Sequence, residues 1–103
     1  MTNLMPPAKC RTMAELRQQI DAIDKDLIDL LTLRSGYIDR AVDLKRIENL
    51  PARTTGRVAE VLDNVARLAS ERGLDPDLAR GLWAHMIEWA IERESRELGK
   101  DPS

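Results

Sequence analysis

A single cysteine, Cys10, leaves the chain unable to build a disulfide framework or a cysteine zinc cluster of its own. That scarcity fits a reducing compartment. Nor is there a run of about 18 apolar residues, the length a membrane helix needs. The opening Met-Thr-Asn-Leu-Met-Pro-Pro-Ala-Lys-Cys lacks the apolar stretch of a signal sequence, so the expected location is the cytoplasm. An excess of one charge is missing too: 16 Lys+Arg against 18 Asp+Glu leave a net charge of -2, which gives no electrostatic reason to approach nucleic acid or anionic lipid. No segment alternates as a half-buried strand does, and no internal repeat occurs. A serine or cysteine nucleophile beside a base, a glycine-rich phosphate loop and an aromatic-basic patch are likewise not visible.

What is present is a chain of 103 residues, 43% apolar and 33% charged, which is the composition of one folded domain. Residues 1–11 lack periodicity and contain Pro6-Pro7, so they read as a flexible N-terminal arm ahead of a helical domain over 12–99. Regular structure is expected from Thr12. Thr12-Met13-Ala14-Glu15 has the capping-box spacing, in which the Thr hydroxyl and the Glu carboxylate each take one orphan backbone N–H. Apolar residues then recur at Leu16, Ile20, Ile23, Leu27, Leu30, Tyr37, Ala41 and Leu44 at helical intervals. With no proline between Met13 and Leu50, one helix of roughly 33 residues and about 50 Å is predicted. A compact domain of this size has a radius of gyration of about 13 Å, so its diameter is shorter than this helix and part of the stripe must be covered by another chain.

Asn49, Leu50 and Pro51 end this helix, and Ala52 to Gly56 read as a short connection. Val58, Val61, Leu62, Val65, Leu68 and Ala69 carry a second helix to Arg72-Gly73, where Gly suits the left-handed C-terminal position. Asp75-Pro76 supplies an N-cap and first residue for a third helix, marked by Ala79, Leu82, Trp83, Met86, Ile87, Ala90 and Ile91 and ending near Leu98, with a frayed tail beyond.

Several polar residues interrupt these stripes. Arg34 stands where Leu or Ile belongs, and a buried guanidinium without a partner costs several kcal/mol. It calls either for an anionic ligand or for a local acid such as Asp29 or Asp39. Lys45, eleven residues on, returns to within about 20° of the same face and about 16 Å along the axis, so the two cations can converge on one small ligand. Taken alone, Lys45 also fits a solvated lysine complementing the helix dipole. Arg17 lies about 25 Å from Arg34 along the helix and about 100° around it, and reaches such a site only from another protomer. Glu94 continues an apolar stripe of the third helix, either as a functional acid or as an end-of-helix partner of Arg93 or Arg96. Arg57 sits unfavourably in the first turn of the second helix. His85 and Glu88 make one His-x-x-Glu, a pattern that surface polarity explains, and no metal is assigned.

The run Leu16-Arg17-x-x-Ile20-Asp21-x-Ile23-Asp24-x-x-Leu27-x-x-Leu30-Leu31-x-x-Arg34, followed by Lys45, Pro51 and Arg57, resembles the signature of the all-helical, AroQ-class chorismate mutases. The likeness covers Met13 to about Leu98 and is less distinctive in the third helix. It implies an all-α, three-helix protomer with a long first helix in an intertwined homodimer. Arg34, Lys45, Thr54, Arg57, Val58 and Glu94 would line a site in one protomer, and Arg17 would enter from the other. The implied reaction converts chorismate to prephenate by a [3,3] rearrangement with neither a covalent intermediate nor a cofactor.

Arginines suit a compact dicarboxylate held in a chair-like form. A fixed Lys45 ammonium stabilises the charge that grows on the ether oxygen as the C–O bond breaks. Arg34 shares the catalytic role with Lys45 and Glu94, and Glu94 serves that oxygen only as a neutral acid that donates a hydrogen bond. One departure stands out: Arg57 is followed by Val58, where family mutases commonly carry a Glu that holds the ring hydroxyl. This resembles two relatives, isochorismate-pyruvate lyases and mutases of 4-amino-4-deoxychorismate, although Thr54 could supply a hydroxyl instead. A non-catalytic helical dimerisation or regulatory module is the remaining alternative.

Overall fold

A computed structural model describes residues 3–99. The first two residues of the expected arm and the expected frayed tail from 100 onward lie outside the described residues. Three helices occur among them, α1 (Met13–Glu48), α2 (Thr55–Glu71) and α3 (Pro76–Leu98), and no strand. The chain divides into two compact units, Met1–Tyr37 and Ile38–Ser103. The division falls inside α1, after Tyr37, and follows from the length of that helix.

In the first unit, regular structure begins earlier than Thr12. A 3-10 turn, Pro7–Lys9, precedes α1, with Lys9 N–H donating to the Pro6 carbonyl at 2.9 Å. The backbone N–H of Met5 donates to Gln19 Oε1 at 2.9 Å, which ties the arm to the helix. The capping box is shifted by one residue. Thr12 Oγ1 accepts from Glu15 N–H at 3.1 Å as its spacing requires, but Glu15 Oε2 accepts from Arg11 N–H at 3.3 Å and not from Thr12. No described residue of this unit is buried. Its apolar stripe is open, with Leu27 at 50%, Leu30 at 61% and Tyr37 at 71% exposure.

Among the described residues the buried ones all lie in the second unit: Val42 of α1, Ala66 and Ala69 of α2, and Ala79, Ile87, Ala90 and Glu94 of α3. Small residues at Ala66, Ala69, Ala79 and Ala90 let α2 and α3 pack closely as an antiparallel hairpin. Both of its sharp chain reversals use left-handed residues. Asn49 has φ 58°, and Leu50 N–H returns to the Lys45 carbonyl at 2.8 Å. Gly73 has φ 77°, and Leu74 N–H returns to the Ala69 carbonyl at 2.9 Å. Each closes a Schellman motif that satisfies carbonyls the helix end would orphan. Helix α2 starts at Thr55, so Thr55 and Gly56, expected in the connection, are helical. The Thr54 carbonyl accepts from both Arg57 and Val58 N–H, and this fixes the start. Helix α3 begins as its sequence requires, with Asp75 Oδ1 accepting from Asp77 N–H at 2.9 Å and Pro76 in the first turn.

Candidate functional site

In the second unit Lys45, in the last turn of α1, meets Glu94 of α3. Lys45 is carried near the C-terminal end of α1, where its ammonium also complements the helix dipole. Its Nζ donates to Glu94 Oε2 at 3.1 Å and to the Ala52 carbonyl at 2.6 Å. The Lys45 side chain is 17% exposed and Glu94 as a residue 4%, which removes the reading of Lys45 as a solvated lysine. Glu94 does not pair with Arg93 or Arg96. The buried carboxylate is satisfied by a cation from another helix, which is the usual condition for keeping a charge out of water. An ammonium has three donors. Two are engaged here, so one has no partner among the described residues. A fixed positive charge with a spare donor can meet an oxygen on which negative charge is growing.

Three further links join elements of the second unit. Arg93 grips Asp39, with Nε to Oδ1 at 2.8 Å and Nη2 to Oδ2 at 3.3 Å, and its guanidinium also lies 5.6 Å from the Trp89 ring centroid. The hydrogen bond from Arg93 holds the Asp39 carboxyl below its ordinary 3.8, and the same contact raises Arg93. Arg46 donates to the Glu97 carbonyl, which joins the end of α1 to the last turn of α3. Arg53, in the connection, forks onto Glu88 at 2.8 and 2.6 Å, so the hydrogen bond lowers the Glu88 carboxyl from its ordinary 4.5 and raises Arg53. None of these links was anticipated from sequence. A carbonyl acceptor such as Ala52 carries no side-chain signal, and Arg53, Arg93 and Asp39 look like ordinary surface charges in a linear reading.

The other sequence candidates are placed less closely. Thr54 and Val58 are half-buried at the start of α2. Thr54 caps that helix through its backbone alone, so its hydroxyl has no partner among the described residues. Arg57 turns to Glu60 on its own helix, with a side chain 63% exposed. Arg34 is half-buried and Arg17 exposed, and neither has an ion-pair partner among the described residues. The local pairing considered for Arg34 with Asp39 is not formed, because Asp39 is engaged by Arg93, and Asp29 does not take its place. His85 is exposed, and Glu88 belongs to Arg53. Among the described residues no helix is long and apolar enough to cross a membrane.

The chain is similar to known proteins. The chain is 38% identical over 89 residues to the isochorismate pyruvate lyase of Pseudomonas aeruginosa, a match covering 85% of this chain and 86% of that protein. It is 33% identical over 82 residues to the 4-amino-4-deoxychorismate mutase of Streptomyces pristinaespiralis, covering 80% of this chain and 64% of the relative. With the chorismate mutase of Methanocaldococcus jannaschii it shares 24% identity over 76 residues, 74% of this chain and 77% of that one. Residues 16–95, which carry α2 whole and both Lys45 and Glu94, match the family described as chorismate mutase type II, and the chain belongs to that family.

Proposed function

We propose that the protein is a pericyclic enzyme of chorismate-type dicarboxylates, and that its substrate is isochorismate, from which it releases pyruvate. The observation that carries the site is the Lys45 ammonium, held by Glu94 and Ala52 with one donor left over. In this reading the hydrogen on the hydroxyl-bearing ring carbon moves to the enolpyruvyl methylene as the ether C–O bond breaks, leaving pyruvate and an aromatic hydroxybenzoate; the spare donor meets the ether oxygen and stabilises the transition state more than the bound substrate. Arg34 and Arg57 take the substrate carboxylates, and a second copy contributes Arg17. Arg57 leaves Glu60 to do so, an exchange that a half-exposed i,i+3 pair permits at little cost. Glu94 acts on the same oxygen through the Lys45 ammonium that it holds. The chemistry needs no cofactor.

Val58 counts against the plain chorismate mutase and fits the lyase and the 4-amino-4-deoxychorismate mutase alike. A half-buried apolar side chain at the start of α2 cannot hold a ring hydroxyl as a carboxylate would. The 38% identical relative that matches over most of both chains is named a lyase. Conversion of chorismate to prephenate is the second reading. It is favoured by the Thr54 hydroxyl, which is not spent on capping α2 and can serve the ring in place of the missing carboxylate.

The assembly is part of the proposal. The first unit buries none of its described residues, and Ile20, Ile23, Leu27, Leu30 and Tyr37 are all exposed along α1. Burial of each Leu or Ile side chain is worth about 1.5–3 kcal/mol. A second copy of the chain is the occupant that covers this stripe, in an intertwined homodimer that supplies Arg17 across the interface. The assay offers isochorismate, chorismate and 4-amino-4-deoxychorismate separately, following pyruvate release and loss of substrate absorbance. Pyruvate from isochorismate alone supports the lyase. Loss of chorismate with appearance of prephenate moves the protein to the second reading, and turnover of none of the three refutes both.

A further inference from the structure

We propose that the Arg53–Glu88 ion pair is a positioning device for Lys45, acting through the Ala52 carbonyl between them; its kinetic consequence rests on the function proposed above. The connection between α1 and α2 has no helical hydrogen-bond ladder of its own. It is anchored at one end where Leu50 N–H meets the Lys45 carbonyl at 2.8 Å, and at the other where the Thr54 carbonyl receives Arg57 and Val58. Ala52 lies between these anchors, and its carbonyl makes the shorter of the two hydrogen bonds that aim the Lys45 ammonium, 2.6 Å against 3.1 Å to Glu94.

Lysine carries a flexible stem with rotatable donors, so the direction of its spare N–H is set by where the other two are held. If the Ala52 carbonyl is free to move, the ammonium swings toward Glu94 and the spare donor is no longer aimed. The residue after Ala52 prevents this. Arg53 is fastened to Glu88 by two hydrogen bonds, Nη1 to Oε1 at 2.8 Å and Nη2 to Oε2 at 2.6 Å. Because the guanidinium is planar and the contact bidentate, it fixes orientation as well as distance, which a single-point surface ion pair does not. Glu88 belongs to α3, the helix that also carries Glu94. Both acceptors of the Lys45 ammonium are thereby referred to one rigid element: Glu94 directly, and the Ala52 carbonyl by way of Arg53 and Glu88. Neither Arg53 nor Glu88 touches the reacting atoms.

Three variants test this: Glu88→Gln, Arg53→Met, and the exchanged pair Arg53→Glu with Glu88→Arg. Two readouts are taken on each, steady-state turnover of whichever substrate the wild type accepts, and the NMR signal of the 15N-labelled Lys45 ammonium without substrate. The expected result for either single variant is a fall in kcat of about tenfold with KM within about twofold, since a misaimed donor costs transition-state and not ground-state binding. The Lys45 ammonium signal shifts and exchanges faster with water, and the exchanged pair recovers at least part of both. Circular dichroism checks that the variants stay helical. Folded single variants with wild-type kcat and an unchanged Lys45 signal overturn the proposal, as does a loss that appears only in KM. If the wild type turns over none of the three substrates, the proposed function fails by itself, and the Lys45 signal alone decides whether Arg53 and Glu88 position the ammonium.

Discussion

Lys45 and Glu94 are separated by 49 positions in the chain, yet Nζ and Oε2 lie 3.1 Å apart with both groups largely withdrawn from solvent. Each is an interruption of its own apolar stripe, and each resolves the other. The pair is both a structural tie between α1 and α3 and the candidate centre of the chemistry, so its substitutions are expected to move stability and rate in separable ways.

Lys45→Met removes the charge and leaves the Glu94 carboxylate buried without its cation. A loss of about 3–5 kcal/mol is expected in urea denaturation, together with a fall in kcat/KM of about 10²–10³. Glu94→Gln keeps a carbonyl acceptor for Lys45. It should therefore retain activity within about tenfold, whereas Glu94→Ala should lose about as much as Lys45→Met.

Acid sensitivity follows from the two carboxyls that arginines hold down. The folded values of Asp39 and Glu88 lie below their ordinary 3.8 and 4.5, so the stabilisation is complete above those ordinary values and is lost as pH falls through the lowered ones. Urea midpoints measured from pH 7 downward should hold until about pH 4.5 and then decline. Asp39→Asn should be less stable than wild type at neutral pH and should show a shallower decline in acid.

The two left-handed turns should answer oppositely to substitution. Gly73→Ala places a Cβ at φ 77° and is expected to cost about 1 kcal/mol, although open space surrounds the position. Asn49→Gly, at φ 58°, relieves the same kind of constraint and should be neutral or slightly stabilising. Denaturant midpoints of the two variants decide the matter.

Shared sites can be tested by complementation. Arg17→Ala and Arg34→Ala should each be inactive alone. When unfolded and refolded together, half of the dimers are hybrids, each with one intact pocket of two, so about a quarter of wild-type activity should return. Hybrids that form without recovering activity count against the crossing of Arg17.

The helices were legible in the sequence because apolar spacing, Asp75-Pro76 and Gly73 are local signals, and local signals specify local structure. The start of α2 was misread for the same reason. Thr54-Thr55-Gly56 has the composition of a loop, and only the acceptance of two N–H groups by the Thr54 carbonyl reveals a helix beginning there. Lys45 and Glu94 were legible as anomalies, since polar residues on apolar faces demand partners. Their partnership was not, because nothing in a linear pattern ties position 45 to position 94. Least legible were the Ala52 carbonyl and the Arg53–Glu88 fork, one a backbone group common to every residue and the other two charges unremarkable until α3 is folded beside them.

Three consecutive positions of the α1–α2 connection have separate duties: Ala52 offers its carbonyl to Lys45, Arg53 reaches Glu88, and Thr54 receives the first N–H groups of α2. Most surface connections absorb insertions and deletions freely. This one cannot, because a single residue added or removed would put all three duties out of phase at once. The spacing between the end of α1 and the start of α2 is thereby tied to Lys45, Glu88 and the first turn of α2 together.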